Sequence, residues 1–309
     1  MTYPARVKIV EVGPRDGLQN EKEHVSTEVK IELVHRLQAA GLKAIEVTSF
    51  VSPKWIPQMA DNARVMRGIH RQKNTCYSAL VPNMKGLEAA LAAPAEEWPD
   101  EIVVFGSASE AFSQKNINCS IAESIERFAP VVMTALEKGI YVRGAMSCTV
   151  GCPYEGDVSP DAVGRLAQLM KGIGVQHVGV ADTIGVGTPS KVQHALEATL
   201  AHFGIDDVSG HFHNTHGLAL SNTLASLELG VWQYDTSVAG LGGCPYANGA
   251  TGNVATEEVV HMLHGMGIET GIDLNKLVEA GVFISHALGR EPNSRVHRAN
   301  RYRRASVCR

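Results

Sequence analysis

No stretch of the 309-residue chain reaches the ~18 to 20 uninterrupted apolar residues that a membrane-spanning helix needs; charges, Gly or Pro break the longest candidates. Basic charge is not in excess either. The 28 Lys and Arg against 32 Asp and Glu give a formal net charge of −4, which leaves nothing to collect nucleic-acid phosphates by gross charge. The start, Met1 to Val10, has neither an apolar stretch with a small-residue cleavage site nor a long Arg- and Ser-rich transit segment, so a cytoplasmic protein is expected. Cysteine is sparse: Cys76, Cys119, Cys148, Cys152, Cys244 and Cys308 are scattered over a chain too long to need stapling, and reduced thiols are expected. No low-complexity linker interrupts the sequence, and no Gly-rich phosphate turn follows the first strand, which argues against a doubly wound open sheet.

What the chain does have is rhythm. With 44% hydrophobic and 19% charged residues it has the balance of a globular protein with a large core. Eight β-branched runs recur between helical stretches: Lys8 to Val12, Ala44 to Thr48, Thr75 to Leu80, Glu101 to Phe105, Tyr141 to Ser147, His177 to Ala181, Val208 to His213 and Tyr234 to Val238. Helical spacing fills the gaps, as in Ser26 to Ala40 and Ala219 to Leu229, and Gly41 and Thr188-Pro189 mark helix ends. Eight such units predict an α/β fold, a (β/α)8 TIM barrel, because each parallel strand needs a crossover helix before the next. A single domain is expected, with the barrel over about 6–267 and an appended helix, Leu274 to Leu288, plus an Arg-rich tail within about 268–309. That tail reads as a solvated terminus.

In a barrel the polar residues at strand C-termini are the candidates for chemistry. Strand one runs into Gly13-Pro14-Arg15-Asp16-Gly17; strand two carries Glu46 and ends in Thr48-Ser49; strand six ends in Asp182-Thr183. Strand seven reads His211-Phe212-His213-Asn214, and period-two alternation puts both imidazoles on one face at metal-ligand spacing. Asp16 and Asn253 lie where a carboxylate and an amide could join them, and mixed N and O ligands favour Mg²⁺ or Mn²⁺ while leaving Zn²⁺ and Fe²⁺ open. Arg15 offers a planar fork of donors suited to a carbonyl or enolate oxygen, or to a salt bridge with Glu46 that would also hold it in place. The loop Gly240 to Asn253 is rich in glycine and places Cys244 at a rim, where a thiol can move protons once neighbours tune it. Cys148 and Cys152, at CxxxC spacing, read as structural.

These segments carry a resemblance. Val12-Gly-Pro-Arg-Asp-Gly-Leu-Gln-Asn-Glu21, Thr48-Ser-Phe-Val-Ser-Pro-Lys-Trp-Ile-Pro-Gln-Met-Ala-Asp61, Lys115-Asn-Ile-Asn-Cys-Ser120, Asp182-Thr-Ile-Gly-Val-Gly187 and the Gly240 to Asn253 loop closely resemble the hydroxymethylglutaryl-CoA lyase family, over essentially the whole chain to about Leu288. The resemblance implies cleavage of 3-hydroxy-3-methylglutaryl-CoA to acetyl-CoA and acetoacetate with Mg²⁺ or Mn²⁺. It assigns Asp16, His211, His213 and Asn253 to the metal, Arg15 to the thioester enolate, and Cys244 to proton transfer. Asp182 and Glu46 take supporting roles, and His211 is also placed to shuttle a proton. Gln19, Ser49, Asn116 and Ser147 are expected to bind the acyl-CoA substrate. The resemblance also allows a homo-oligomer such as a dimer, which the residues themselves do not fix.

Departures bear on the substrate. Asn214 and His216 stand where the family has Asp and Tyr after the histidines, and Ala145-Met146 where an aromatic precedes the Ser-Cys of strand five. An aromatic-to-Ala change enlarges a pocket, so a relative of hydroxymethylglutaryl-CoA with another 3-substituent, such as citramalyl-CoA or a 3-hydroxy-3-isohexenylglutaryl-CoA, is an alternative substrate. A Claisen-condensing acyl-CoA synthase shares the barrel, the Arg-Asp pair and the HxH, but usually carries an extra regulatory region. A non-catalytic barrel would tolerate loss of a ligand, yet all four candidates and Arg15 are present. The segment Ala93 to Asp100 looks longer than the family's usual, and Cys308 sits where some relatives carry a regulatory cysteine.

Overall fold

In a computed structural model, residues 3–243 and 252–299 are described. Eight parallel strands close into a barrel: β1 (Lys8–Glu11), β2 (Ala44–Ser49), β3 (Cys76–Leu80), β4 (Glu101–Ser107), β5 (Tyr141–Ser147), β6 (His177–Asp182), β7 (Val208–Phe212) and β8 (Gln233–Thr236), with β8 returning to pair with β1. The helices around them are α1 (Thr27–Ala39), α2 (Asn62–Gly68), α3 (Met84–Leu91), α4 (Glu110–Ile117), α5 (Ile121–Glu137), α6 (Pro160–Gly172), α7 (Pro189–Leu200), α8 (Ala219–Glu228) and α9 (Thr256–Gly265), followed by α10 (Leu274–Ala287) against α1. This is the TIM barrel the strand rhythm predicts. Each strand is covered on one face by helices and on the other by the barrel interior, so β2 and β6 are buried at every residue.

Local chemistry sets the helix ends. Ser26 Oγ accepts from Val29 N–H, and Gly41 turns the chain away from α1 at φ +102. Ser120 and Glu123 exchange side-chain bonds with each other's backbone to open α5. Thr188 precedes α7, as expected, but caps no N–H; Pro189 sets the first turn alone.

Several features were not in the strand rhythm. The connection from β4 to β5 holds two helices, α4 and α5, and a short hairpin pairs Gly151–Cys152 with Gly156–Asp157. The long segment after α3 forms a turn at Ala95–Glu97. It is pinned by Trp98 Nε1 donating to Ala93 O and by Arg71 bonding Trp98 O and Asp100. The expected strand Tyr234 to Val238 ends early because Val238–Gly240 winds into a turn with Ala239 at φ +57. The described part of the tail, 290–299, is not simply solvated: Arg290 pairs with Glu21, Arg295 pairs with Glu258 at the start of α9, and Asn293 N–H reaches Ala239 O. Among the described residues no helix is long and apolar enough to cross a membrane.

Candidate active site

The chain leaves β1 through an unusual turn. Residues Gly13–Gly17 form a single π-helical turn in which Val12 O accepts the N–H groups of Arg15, Asp16 and Gly17. Two glycines make this possible. A Cβ on Gly13 would lie 2.5 Å from Glu11 Oε1, and one on Gly17 would lie 2.7 Å from both Leu241 Cβ and Ser237 Oγ. The turn presents Arg15 and Asp16 side by side at the C-terminal mouth of the barrel. In β2 a bulge shifts the pairing with β3 between Glu46 and Thr48, and Glu46 meets the Arg15 guanidinium at 2.9 Å. Arg15 therefore forks between Glu46 and Asp16, each at 2.9 Å.

Strand β7 delivers the imidazoles. His211 Nε2 lies 4.0 Å from Asp16 Oδ2, and the two rings stand 5.3 Å apart between centroids. Asp16, His211 and His213 each offer one ligand atom, all within 4.8 Å of one another. Asn253 arrives from the far side of the Gly-rich loop, held opposite His213 by a backbone bridge, and its Nδ2 donates to Asp16 Oδ2 at 2.7 Å. Burial alone would raise the Asp16 carboxyl, but Arg15, the two imidazoles and Asn253 outweigh it and hold the group at about 2. Burial, reinforced by His211, brings His213 down to about 4, so its imidazole is neutral. The Nδ1 of His213 is buried with no hydrogen-bond partner among the described residues. A neutral imidazole with an orphaned nitrogen beside an ionised carboxylate is a donor set that fits a divalent cation. Ligation by Asn253 through Oδ1 needs its amide turned end for end.

These groups line a cavity of about 840 Å³ at the barrel mouth. Arg15, Asp16, Gln19, Glu46, Asn116, Ser147, His211 and His213 all face it, as does Ala145. Three expected site residues do not: Asn253, which reaches Asp16 without lining the cavity, Ser49 and Asp182. Ser49 is fully buried, its hydroxyl taken by Val51 N–H where the chain turns after β2. Asp182 is turned into the loop before α7, where its carboxylate accepts the N–H groups of Val186 and Gly187. Cys244 lies outside the described residues, and so does Cys308. Cys148 and Cys152 are buried.

Two residues that sequence reasoning passed over also face the cavity: Arg143 on β5 and Asp235 on β8. The signal was a charged residue at a buried position inside a strand. Arg143 shares the period-two face of Ala145 and Ser147, and Asp235 stands in register with His211.

A closed parallel barrel with an Arg–Asp pair and two histidines converging at its mouth defines a (β/α)8 enzyme with a candidate divalent-cation centre. The comparisons narrow this. A family model described as HMGL-like matches residues 6–284, and the chain belongs to that family. It is 53% identical over 298 residues to the mitochondrial hydroxymethylglutaryl-CoA lyase of Bos taurus, covering 96% of this chain and 90% of that one. The crystal structure of hydroxymethylglutaryl-CoA lyase from Pseudomonas aeruginosa superposes with a TM-score of 0.95 at 51% identity, over 98% of this chain and 100% of that one. An HMG-CoA lyase from Acinetobacter baumannii, solved in complex with coenzyme A and 3-methylmalate, gives a TM-score of 0.90 at 36% identity, over 97% of this chain and 96% of that one. With relatives this similar along almost its whole length, the chain is a carbon–carbon lyase.

Proposed function

We propose that this lyase cleaves 3-hydroxy-3-methylglutaryl-CoA to acetyl-CoA and acetoacetate. The observation that carries the reading is the cluster of Asp16, His211 and His213 set beside Arg15 at the mouth of the cavity. The lyases named above support the substrate class. Asp16, His211, His213 and Asn253 would hold Mg²⁺ or Mn²⁺, which when bound supplies a Lewis acid for the substrate's oxygens.

The retro-Claisen step takes the proton from the C3 hydroxyl and forms the acetoacetate ketone. The electrons of the C2–C3 bond pass to the thioester, giving the acetyl-CoA enolate, which is then protonated at carbon. Arg15 is the fixed donor for the enolate oxygen. Its guanidinium is held by Glu46, so little reorganisation is needed as charge develops. His211 can take or return the hydroxyl proton only through Nε2, and only while that nitrogen is not a ligand of the cation, because Nδ1 lies against Asp235. Cys244 is the proposed donor to the enolate carbon. Gln19, Asn116 and Ser147 offer polar contacts along the cavity, and Lys115 and Arg127 add positive charge for an anionic thioester.

One observation favours a second reading, in which the substrate is citramalyl-CoA or 3-hydroxy-3-isohexenylglutaryl-CoA: Ala145 lines the cavity with its small side chain beside Phe105. Comparing kcat/KM for the three thioesters separates the readings. The methyl compound is expected to be preferred; preference for another reassigns the substrate, and no cleavage of any by metal-loaded protein contradicts the lyase reading.

A further inference from the structure

We infer that Asp235, anchored by Arg143 and Ser209, is the positioning residue that fixes the tautomer and direction of His211. The inference rests on the metal-centre reading above and extends it to residues outside the ligand set.

Four neighbouring strands build the arrangement. Arg143 stands on β5, Gly179 on β6, Ser209 on β7 and Asp235 on β8. Gly179 and Ser209 are in register, as are Asp235 and His211. The Arg143 guanidinium reaches across β6, where it donates to Ser209 Oγ at 2.8 Å and to Asp235 Oδ1. It can do so because β6 offers no side chain at the crossing point: a Cβ on Gly179 would lie 3.3 Å from both Arg143 Nη2 and Ser209 Oγ. The second oxygen of Asp235 lies 3.2 Å from His211 Nδ1.

A carboxylate paired with a guanidinium only accepts, so Nδ1 carries a proton and Nε2, the nitrogen facing Asp16, is the one left to bind a cation. The other carboxylate oxygen of Asp235 is ion-paired with the Arg143 guanidinium. Arg143 and Asp235 are only 6% and 9% exposed in their side chains, so water does not screen the pair. A histidine whose far nitrogen is tied to a fixed carboxylate is pre-oriented as a ligand, and losing the carboxylate typically weakens metal binding about 10- to 100-fold.

The test is Mn²⁺ affinity by electron paramagnetic resonance titration, alongside thermal melting and the long-range ¹H–¹⁵N histidine spectrum of metal-free protein. Asp235→Ala is expected to raise the Mn²⁺ Kd by about 10- to 100-fold. Asp235→Asn keeps an acceptor and should fall between it and wild type. The slowly exchanging Nδ1-bound proton of His211 should be present in wild type and lost in Asp235→Ala. If Asp235→Ala fails to fold because Arg143 is left unpaired, the double variant Arg143→Met/Asp235→Leu removes both charges, and its Mn²⁺ affinity should be as weak. Affinity within twofold of wild type in a folded variant lacking the Asp235 carboxylate would overturn the inference, as would persistence of the Nδ1-bound proton. Wild-type protein that takes up no Mn²⁺ would contradict the metal reading itself, and the metal-free spectrum would still decide whether Asp235 fixes the ring.

Discussion

Arg15 is 8% exposed, and its guanidinium is shared between Glu46 and Asp16. Nothing about that pairing depends on a bound molecule, so the donor is already aimed when substrate arrives. Arg15→Gln is expected to cut kcat by about 10²- to 10³-fold and, because it strips buried Glu46 of its ion-pair partner, to lower the melting temperature as well; near-normal turnover by the folded variant would remove Arg15 from the chemistry. His213→Ala takes away a neutral imidazole with an unsatisfied nitrogen, and metal stoichiometry measured on the dialysed protein should fall below that of wild type. Unchanged stoichiometry would strike it from the ligand set. Much of this residue set was legible in the sequence, because HxH on a strand and Arg-Asp after one carry their geometry with them. Arg143 and Asp235 were not, since they are ninety-two positions apart and meet only once four strands are in register.

The elements hold these residues by close backbone approach as much as by packing. The π turn at Gly13–Gly17 lies against Ser237 and Leu241, the stretch that enters the Gly-rich loop. Gly17→Ala puts a methyl group 2.7 Å from Leu241 Cβ and Ser237 Oγ, and is expected to destabilise the fold by about 1 to 3 kcal/mol, read as a lower denaturation midpoint. A midpoint unchanged from wild type would mean that the turn and the loop entrance yield easily. The same entrance is braced from the C-terminal side, where the Glu21 carboxylate accepts both from Gly242 N–H at 3.2 Å and from Arg290 at 2.5 Å. Glycines and arginines are plain in a sequence. Which backbone each glycine lets in, and which carboxylate each arginine finds, depends on contacts between segments more than two hundred residues apart. The bulge that re-aims Glu46, and the turn that consumes the Ser49 hydroxyl, lie beyond periodicity for the same reason.

At the scale of the whole molecule, the eightfold strand–helix rhythm was enough for the barrel because each parallel pair requires its crossover. The barrel closes where β8 meets β1, and buried carboxylates hold that seam. Glu11 accepts from Gly13 N–H, Val238 N–H and Thr256 Oγ1; Glu257 accepts from Ala239 N–H. Burial pushes Glu11 up to about 7 and Glu257 up to about 8, from an ordinary value of 4.5. Each of these groups holds its proton in the folded chain and loses it in the unfolded one above 4.5, which favours the folded state on the acid side. Burial of His213 and His177, lowered to about 4 and about 3 from 6.5, acts in the opposite sense below about pH 6.5, so the net fall in stability lies between about pH 6.5 and 8. Denaturation midpoints should therefore decline from about pH 6.5 to about pH 8, and Glu257→Gln should flatten the decline. A slope that is the same in the variant would contradict the assignment.

The constellation of Arg15, Asp16, His211 and His213 is proposed to perform metal-dependent cleavage of a carbon–carbon bond in 3-hydroxy-3-methylglutaryl-CoA. The most direct measurement incubates metal-stripped protein with that thioester, with and without Mg²⁺ or Mn²⁺, and detects acetyl-CoA and acetoacetate together. Both products should form in equal amounts, and only when the cation is restored. Folded, metal-loaded protein that releases neither product, or protein that releases both at full rate without the cation, would contradict the account.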